Sequence, residues 1–128
     1  MSDAEREATL RRHIAATEKE KGNVQFKEKK YAAAIACYTR GLESDPDNAV
    51  LLANRAMAHL NMKQHVDAEL DCTRCIALDK TFIKAYQRRA SAREALGKFK
   101  EAAEGRQTAV DWRIETKSAF IDTQILPL

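Results

Sequence analysis

A chain of 128 residues with a formal net charge of +3, four Gly, two Pro and three Cys is long enough for one domain with a continuous buried core. Sparse Gly and Pro with abundant Ala, Glu, Lys, Leu and Arg point to an all-helical class, and no apolar run approaches the roughly 20 residues needed to span a bilayer. Met1 to Arg12 is charged and lacks the apolar centre of a secretion signal, so a soluble, cytoplasmic protein is expected.

In chain order, residues 1–14 read as a helical extension, and from residue 15 the apolar residues take helical spacing. Phe26 closes one helix at the Lys-rich break Lys27 to Lys30, and Tyr31, Ala34, Ile35, Tyr38 and Leu42 mark the apolar stripe of the next. Asp45, Pro46, Asp47 and Asn48 end that helix, because proline cannot continue it and Asp or Asn caps the following one. A second helix pair spans 49–82, broken near Lys63 and Gln64, and a third spans 83–116, with Gly97 and Lys98 as its turn. Gly105 and Arg106 fall inside the last helix. Glycine there costs about 1 kcal/mol relative to alanine, so a weakened or distorted helix is expected. Residues 117–128 read as a capping segment or tail. Trp112, Ile114, Phe120, Ile121, Ile125 and Leu126 supply apolar material, Ile114, Ile121 and Ile125 share roughly one face, and Pro127 ends the run. A monomer is expected, with tail-mediated self-association as the alternative.

The three pairs are copies of one unit. Gly22, Ala56 and Ala90 recur with a period of 34, and so do Ala34, Ala68 and Ala102, and Tyr31, His65 and Phe99. Leu42, Ile76 and Val110 form an aliphatic column at the same period, and Gly41, Cys75 and Ala109 a small one. Small residues recur where the two helices of a hairpin meet, since only they allow axes to approach at about 8–10 Å. A larger side chain there overpacks the contact by roughly 1–3 kcal/mol.

This period and its small, aromatic and proline positions resemble the tetratricopeptide repeat over about residues 15–111. The resemblance implies three helix hairpins stacked as a right-handed superhelix. Two departures stand out: no Trp in the early part of each unit, and Lys80 where proline is usual.

Stacked hairpins curve, with the first helix of each lining the concave side. Lys19 and Asn23 are separated by four, as are Lys84 and Arg88, so each pair shares a helix face. Asn54 and Arg88 are one period apart and hold the same place in adjacent units. Three cations and two amides on one wall suit a ligand with more than one carboxylate: Arg as a bidentate fork, Lys as a mobile point charge, Asn as a neutral donor. A free C-terminus ending in Asp presents two carboxylates on one residue.

The set resembles the dicarboxylate clamp of co-chaperone tetratricopeptide domains, with KEKGN supplying Lys19 and Asn23, NRAMA supplying Asn54 and KAYQR supplying Lys84 and Arg88. The resemblance implies a non-catalytic adaptor for the C-terminal EEVD tails of heat-shock proteins 90 and 70. Lys19, Asn23 and Asn54 would hold the terminal main-chain carboxylate, Lys84 would lie near the Asp carboxylates, Arg88 would reach upstream acidic groups, and Met57 would help form a pocket for the tail's valine. The run from DCTRCIALD through KAYQRRASAREALGK is similar to repeats of adaptors that couple heat-shock protein 90 to the RuvB-like ATPases. Two alternatives remain: a targeting module of a larger isomerase, phosphatase or ubiquitin ligase, or a scaffold for another acidic peptide or helix.

The remaining motifs take structural readings. Cys72 and Cys75 form a C-x-x-C inside a helix rather than at a helix start, with no second pair to complete a zinc site, so both read as small packing residues. His13, His59 and His65 lie in different elements. No nucleophile, base and orienting group recur in a catalytic pattern, no glycine loop cradles phosphate, and no cofactor is expected. The basic stretch Lys19 to Lys30 contains only Phe26, with Tyr31 just beyond it, and both sit at packing positions of the repeat, so nucleic acid is not an expected ligand.

Overall fold

A computed structural model describes residues 1–125. These residues form α1 (Asp3–Lys27), α2 (Tyr31–Ser44), α3 (Ala49–Asn61), α4 (His65–Leu78), α5 (Ile83–Ala95) and α6 (Phe99–Ile125). Consecutive helices pack as antiparallel hairpins α1–α2, α3–α4 and α5–α6, each hairpin resting on the next, and α3 also packs against α5. None of the helices is long and apolar enough to cross a membrane.

All three hairpin turns are built the same way. Lys29 (φ 61°), Lys63 (φ 58°) and Gly97 (φ 79°) adopt the left-handed conformation, and they occupy one column of the repeat. In each, the next residue's N–H donates back across the helix end: Lys30 to Gln25 O at 2.9 Å, Gln64 to His59 O at 2.8 Å, and Lys98 to Arg93 O at 2.7 Å. The left-handed residue itself donates to the carbonyl three before it, at 2.9–3.0 Å. This is the Schellman closure, which satisfies carbonyls orphaned at the helix end. Lysine fills the left-handed position twice, at a cost of roughly 1–2 kcal/mol relative to the right-handed backbone.

The links between hairpins rely on side-chain hydrogen bonds. Asn48 Oδ1 accepts from Leu51 N at 3.1 Å at the start of α3. Before α5, where Lys80 replaces the usual proline, Asp79 Oδ1 accepts from Thr81 N at 3.0 Å and Thr81 Oγ1 at 2.8 Å, while the Tyr86 hydroxyl donates to Lys80 O at 2.8 Å. An Asx turn thus does the work of the ring.

The core is a seam of small residues filled by a few large ones. Ala15, Ala34, Leu51, Leu52, Ala53, Cys75 and Ala85 are fully buried, and Tyr38 is 2% exposed. The columns Gly22/Ala56/Ala90 and Ala34/Ala68/Ala102 are buried throughout. Phe26 and Tyr31 pack edge to face with centroids 5.3 Å apart. Asp71 is the one buried charge among the described residues. It takes a bidentate pair from Arg55 at 2.7 and 2.8 Å, while Arg55 also donates to Thr39 Oγ1 at 3.2 Å, joining α3 to both α2 and α4.

The last helix differs from expectation in two respects. It runs unbroken through Gly105 and continues past residue 116 to Ile125 without a turn. No Gly or Pro interrupts residues 106–126, so the segment expected as a cap extends the second helix of the third hairpin. Ile114 and Phe120 are exposed on it. Leu126 and Pro127 lie outside the described residues, as do the side chains of Ile121 and Ile125.

Of the three buried helix-interior glycines, Gly22, Gly41 and Gly105, the first and the last respond oppositely to alanine. A Cβ on Gly22 would lie 2.5 Å from Tyr38 Cε1 and 2.7 Å from Cδ1, against a ring that is itself buried. The overpacking cost, roughly 1–3 kcal/mol, exceeds the roughly 0.5–1 kcal/mol that alanine usually gains in a helix. On Gly105 the nearest atom is Tyr86 O at 3.8 Å, an ordinary contact. In urea unfolding, Gly22→Ala is expected to lower stability and Gly105→Ala to raise it, by about 1 kcal/mol each. The same sign in both would show that propensity, not space, governs the seam.

Candidate functional site

The first helices of the hairpins, α1, α3 and α5, bring the predicted residues to one wall. Asn23 on α1 and Asn54 on α3 meet directly, Asn54 Nδ2 donating to Asn23 Oδ1 at 3.3 Å. The same oxygen accepts from the Tyr38 hydroxyl at 2.7 Å. With both acceptor sites of Oδ1 used, the Asn23 amide is fixed, and its Nδ2 donors have no hydrogen-bond partner among the described residues. Asn54 keeps its second Nδ2 hydrogen. Burial, then the neighbouring Cys37, holds the Tyr38 phenol above its usual pKa, so it stays protonated and donates.

Arg88 on α5 reaches back across α3, where Nη1 donates to Ala53 O at 2.8 Å, next to Asn54. Burial lowers its pKa, although a guanidinium remains charged. Lys84 lies one turn earlier on α5. Together Met57, Leu60, Lys84, Gln87, Arg88 and Ser91 line an open groove of about 490 Å³, with Arg106 of α6 at its edge. Lys19 stands apart from this groove, half-buried one turn before Asn23 on α1.

Charge is distributed unequally around the molecule. Arg55, Arg93, Arg40 and Arg106 pair with Asp71, Glu69, Glu18 and Glu94 at 2.7–3.3 Å. Glu18, the neighbour of Lys19, is taken by Arg40 and Lys21. Among the described residues Lys19, Lys84 and Arg88 have no ion-pair partner. A half-buried cation without an anion is costly, and cations beside amides with unused Nδ2 hydrogens are donors of the kind that suits anionic oxygens.

Tyr38, Leu60, Gln87, Ser91 and Arg106 were not among the site residues expected from sequence. Some of them were signalled by the period: Asn23, Met57 and Ser91 occupy one column of the repeat, so Ser91 inherits a groove-facing place. Cys72 and Cys75 take no part. Both are fully buried, Cys75 Sγ donates to Ala49 O at 3.3 Å, and burial pushes the thiols up to about 12 and about 11, far from a reactive thiolate. His59 is held by Gln64 Oε1 at 2.7 Å and faces Asp71.

Comparison with known proteins places these features in context. Models of the tetratricopeptide repeat match residues 15–48 and 37–69. RNA polymerase II-associated protein 3 of mouse is 52% identical over 84 residues, which are 66% of this chain and 13% of that protein, so the chain spans only a small part of the curated relative. Among solved structures, the second tetratricopeptide domain of Spaghetti, bound to the heat-shock protein 90 peptide SRMEEVD, is 48% identical with a TM-score of 0.78, covering 81% of this chain and 96% of that one. The second tetratricopeptide domain of human RNA polymerase II-associated protein 3, in complex with the heat-shock protein 70 peptide SGPTIEEVD, is 45% identical with a TM-score of 0.75, covering 82% and 85%.

Tyr38→Phe tests how the Asn23 amide is fixed. Losing the hydroxyl is expected to cost about 1 kcal/mol in urea unfolding and, by letting Asn23 rotate its oxygen outward, to weaken acidic-peptide binding severalfold in calorimetry. Binding at wild-type strength would show that the amide is held by other means.

Proposed function

The chain belongs to the tetratricopeptide repeat family, and from that premise we propose that it is a non-catalytic, cytoplasmic co-chaperone adaptor domain whose inner wall holds the acidic C-terminal tail of heat-shock protein 90 or heat-shock protein 70. The observation that carries this reading is the wall itself: Lys19, Lys84 and Arg88 without ion-pair partners among the described residues, beside two amides that keep unused Nδ2 hydrogens.

The terminal main-chain carboxylate sits against Asn23 and Asn54, with Lys19 supplying charge from the preceding turn. Asn54 adds a donor without adding repulsion between cations, which lets two amides and three cations share a short stretch of wall. Lys84, exposed and mobile, follows the side-chain carboxylate of the last Asp, and Arg88, held by Ala53 O, presents its remaining donors to acidic groups upstream. Met57 and Leu60 give the tail's valine an apolar surface. Relatives with 48% and 45% identity carry SRMEEVD and SGPTIEEVD respectively, which supports the shared EEVD ending as the recognised element.

Titration calorimetry tests the reading with both peptides, each with a free and an amidated C-terminus. The free forms are expected to bind near 1 μM, about −8 kcal/mol. Amidation, Asn54→Ala and Arg88→Ala are each expected to weaken binding by at least about tenfold, and affinity should fall with added salt. Unchanged affinity after amidation and in both variants would reject the clamp.

A further inference from the structure

The groove is edged by a cation that lies outside the five-residue set. Arg106 comes from α6, the second helix of the third hairpin, yet it lines the same groove as Lys84, Arg88, Gln87 and Ser91. Its place in the repeat explains how. Tyr38, Cys72 and Arg106 occupy one column of the repeat, and in the first hairpin this position meets the wall, where the Tyr38 hydroxyl touches Asn23. In the first two hairpins the residue is buried at 2% and 0% exposure, whereas in the third it is exposed and carries charge.

Its geometry is that of a held fork. Arg106 Nε donates to Glu94 Oε1 at 2.8 Å, which fixes the guanidinium plane, while its four Nη hydrogens are not used among the described residues. The side chain is 45% exposed. The end-on Nη1/Nη2 edge is therefore free for a bidentate contact with a carboxylate. Glu94, also exposed, orients Arg106 through Nε and leaves that edge open.

We propose that Arg106 is a specificity-determining residue that extends the carboxylate-binding wall onto α6 and selects tails with glutamates upstream of the terminal residue. The inference rests on the tail-binding reading above. With the terminal carboxylate on α1 and α3, the tail crosses Lys84 and Arg88 on α5 as it runs upstream, and Arg106 is the next cation along the groove.

The test is a cycle of protein and peptide substitutions by calorimetry. SRMEEVD is compared with SRMQQVD, in which both glutamates lose their charge, on the wild-type chain, on Arg106→Gln and on Lys100→Gln. Lys100→Gln removes the same charge from the same helix outside the groove. Arg106→Gln is expected to shrink the affinity ratio of the two peptides by about fivefold, the upper end for an exposed pair, while Lys100→Gln keeps the wild-type ratio. An equal ratio in wild type and Arg106→Gln overturns the proposal, as does an equal reduction in Lys100→Gln. If amidation of SRMEEVD abolishes binding while Arg106→Gln keeps the wild-type ratio, the tail-binding reading stands and this inference alone fails. Failure of SRMEEVD to bind the wild-type chain overturns both.

Discussion

The contact between Gly22 and the Tyr38 ring is the constraint on which both the fold and the site depend. A hydrogen at position 22 instead of a methyl lets α2 approach α1 until the ring lies against the α1 backbone. That approach closes the first hairpin, buries the phenol almost completely, and carries its hydroxyl to 2.7 Å from Asn23. Packing density and amide orientation are thus set by one missing carbon. Interiors packed as densely as crystals transmit such constraints without slack, so a change on the packing side of α1 reaches the ligand side one residue away.

Part of the polar structure satisfies itself, whereas Lys19, Lys84 and Arg88, like Lys63, Lys80 and Arg89 elsewhere, have no ion-pair partner among the described residues. Arg55, Asp71, Thr39 and His59 form a nearly closed network between hairpins, where an unpaired charge would be expensive. On the concave wall the chain leaves cations unpaired and keeps two of them only half-buried, which limits the desolvation cost to what exposure allows. Asn23 and Asn54 then raise donor density without further repulsion.

How much of this was legible in the sequence depended on whether a position repeats its chemistry. Gly22, Ala56 and Ala90 repeat size, so the seam was readable. Asn54 and Arg88 repeat place, so their convergence followed from the period. The turns hid their mechanism, since lysine at positions 29 and 63 gives no sign of a left-handed backbone that Gly97 announces openly. The expected distortion at Gly105 did not appear, and α6 runs unbroken through it. Tyr38 and Arg106 were not legible as site residues because Tyr, Cys and Arg share no property that a column would reveal, although they share a register.

The third hairpin is where the repeat changes character, for a reason of stacking alone. Positions buried between hairpins in the first two units have no following hairpin among the described residues: Phe99 is 69% exposed, against half-buried Tyr31 and His65, and Val110 is 45% exposed, against buried Leu42. The column of Tyr38 and Cys72 changes in the same direction, from buried to exposed at Arg106. Inside the stack that position must be neutral, since an unpaired charge there would bear the full desolvation penalty; at the last hairpin it can hold a guanidinium paired to Glu94 and still meet water. Charge therefore enters the groove from a second helix only at the third hairpin, and the wall gains there a cation that neither earlier copy of the unit could carry.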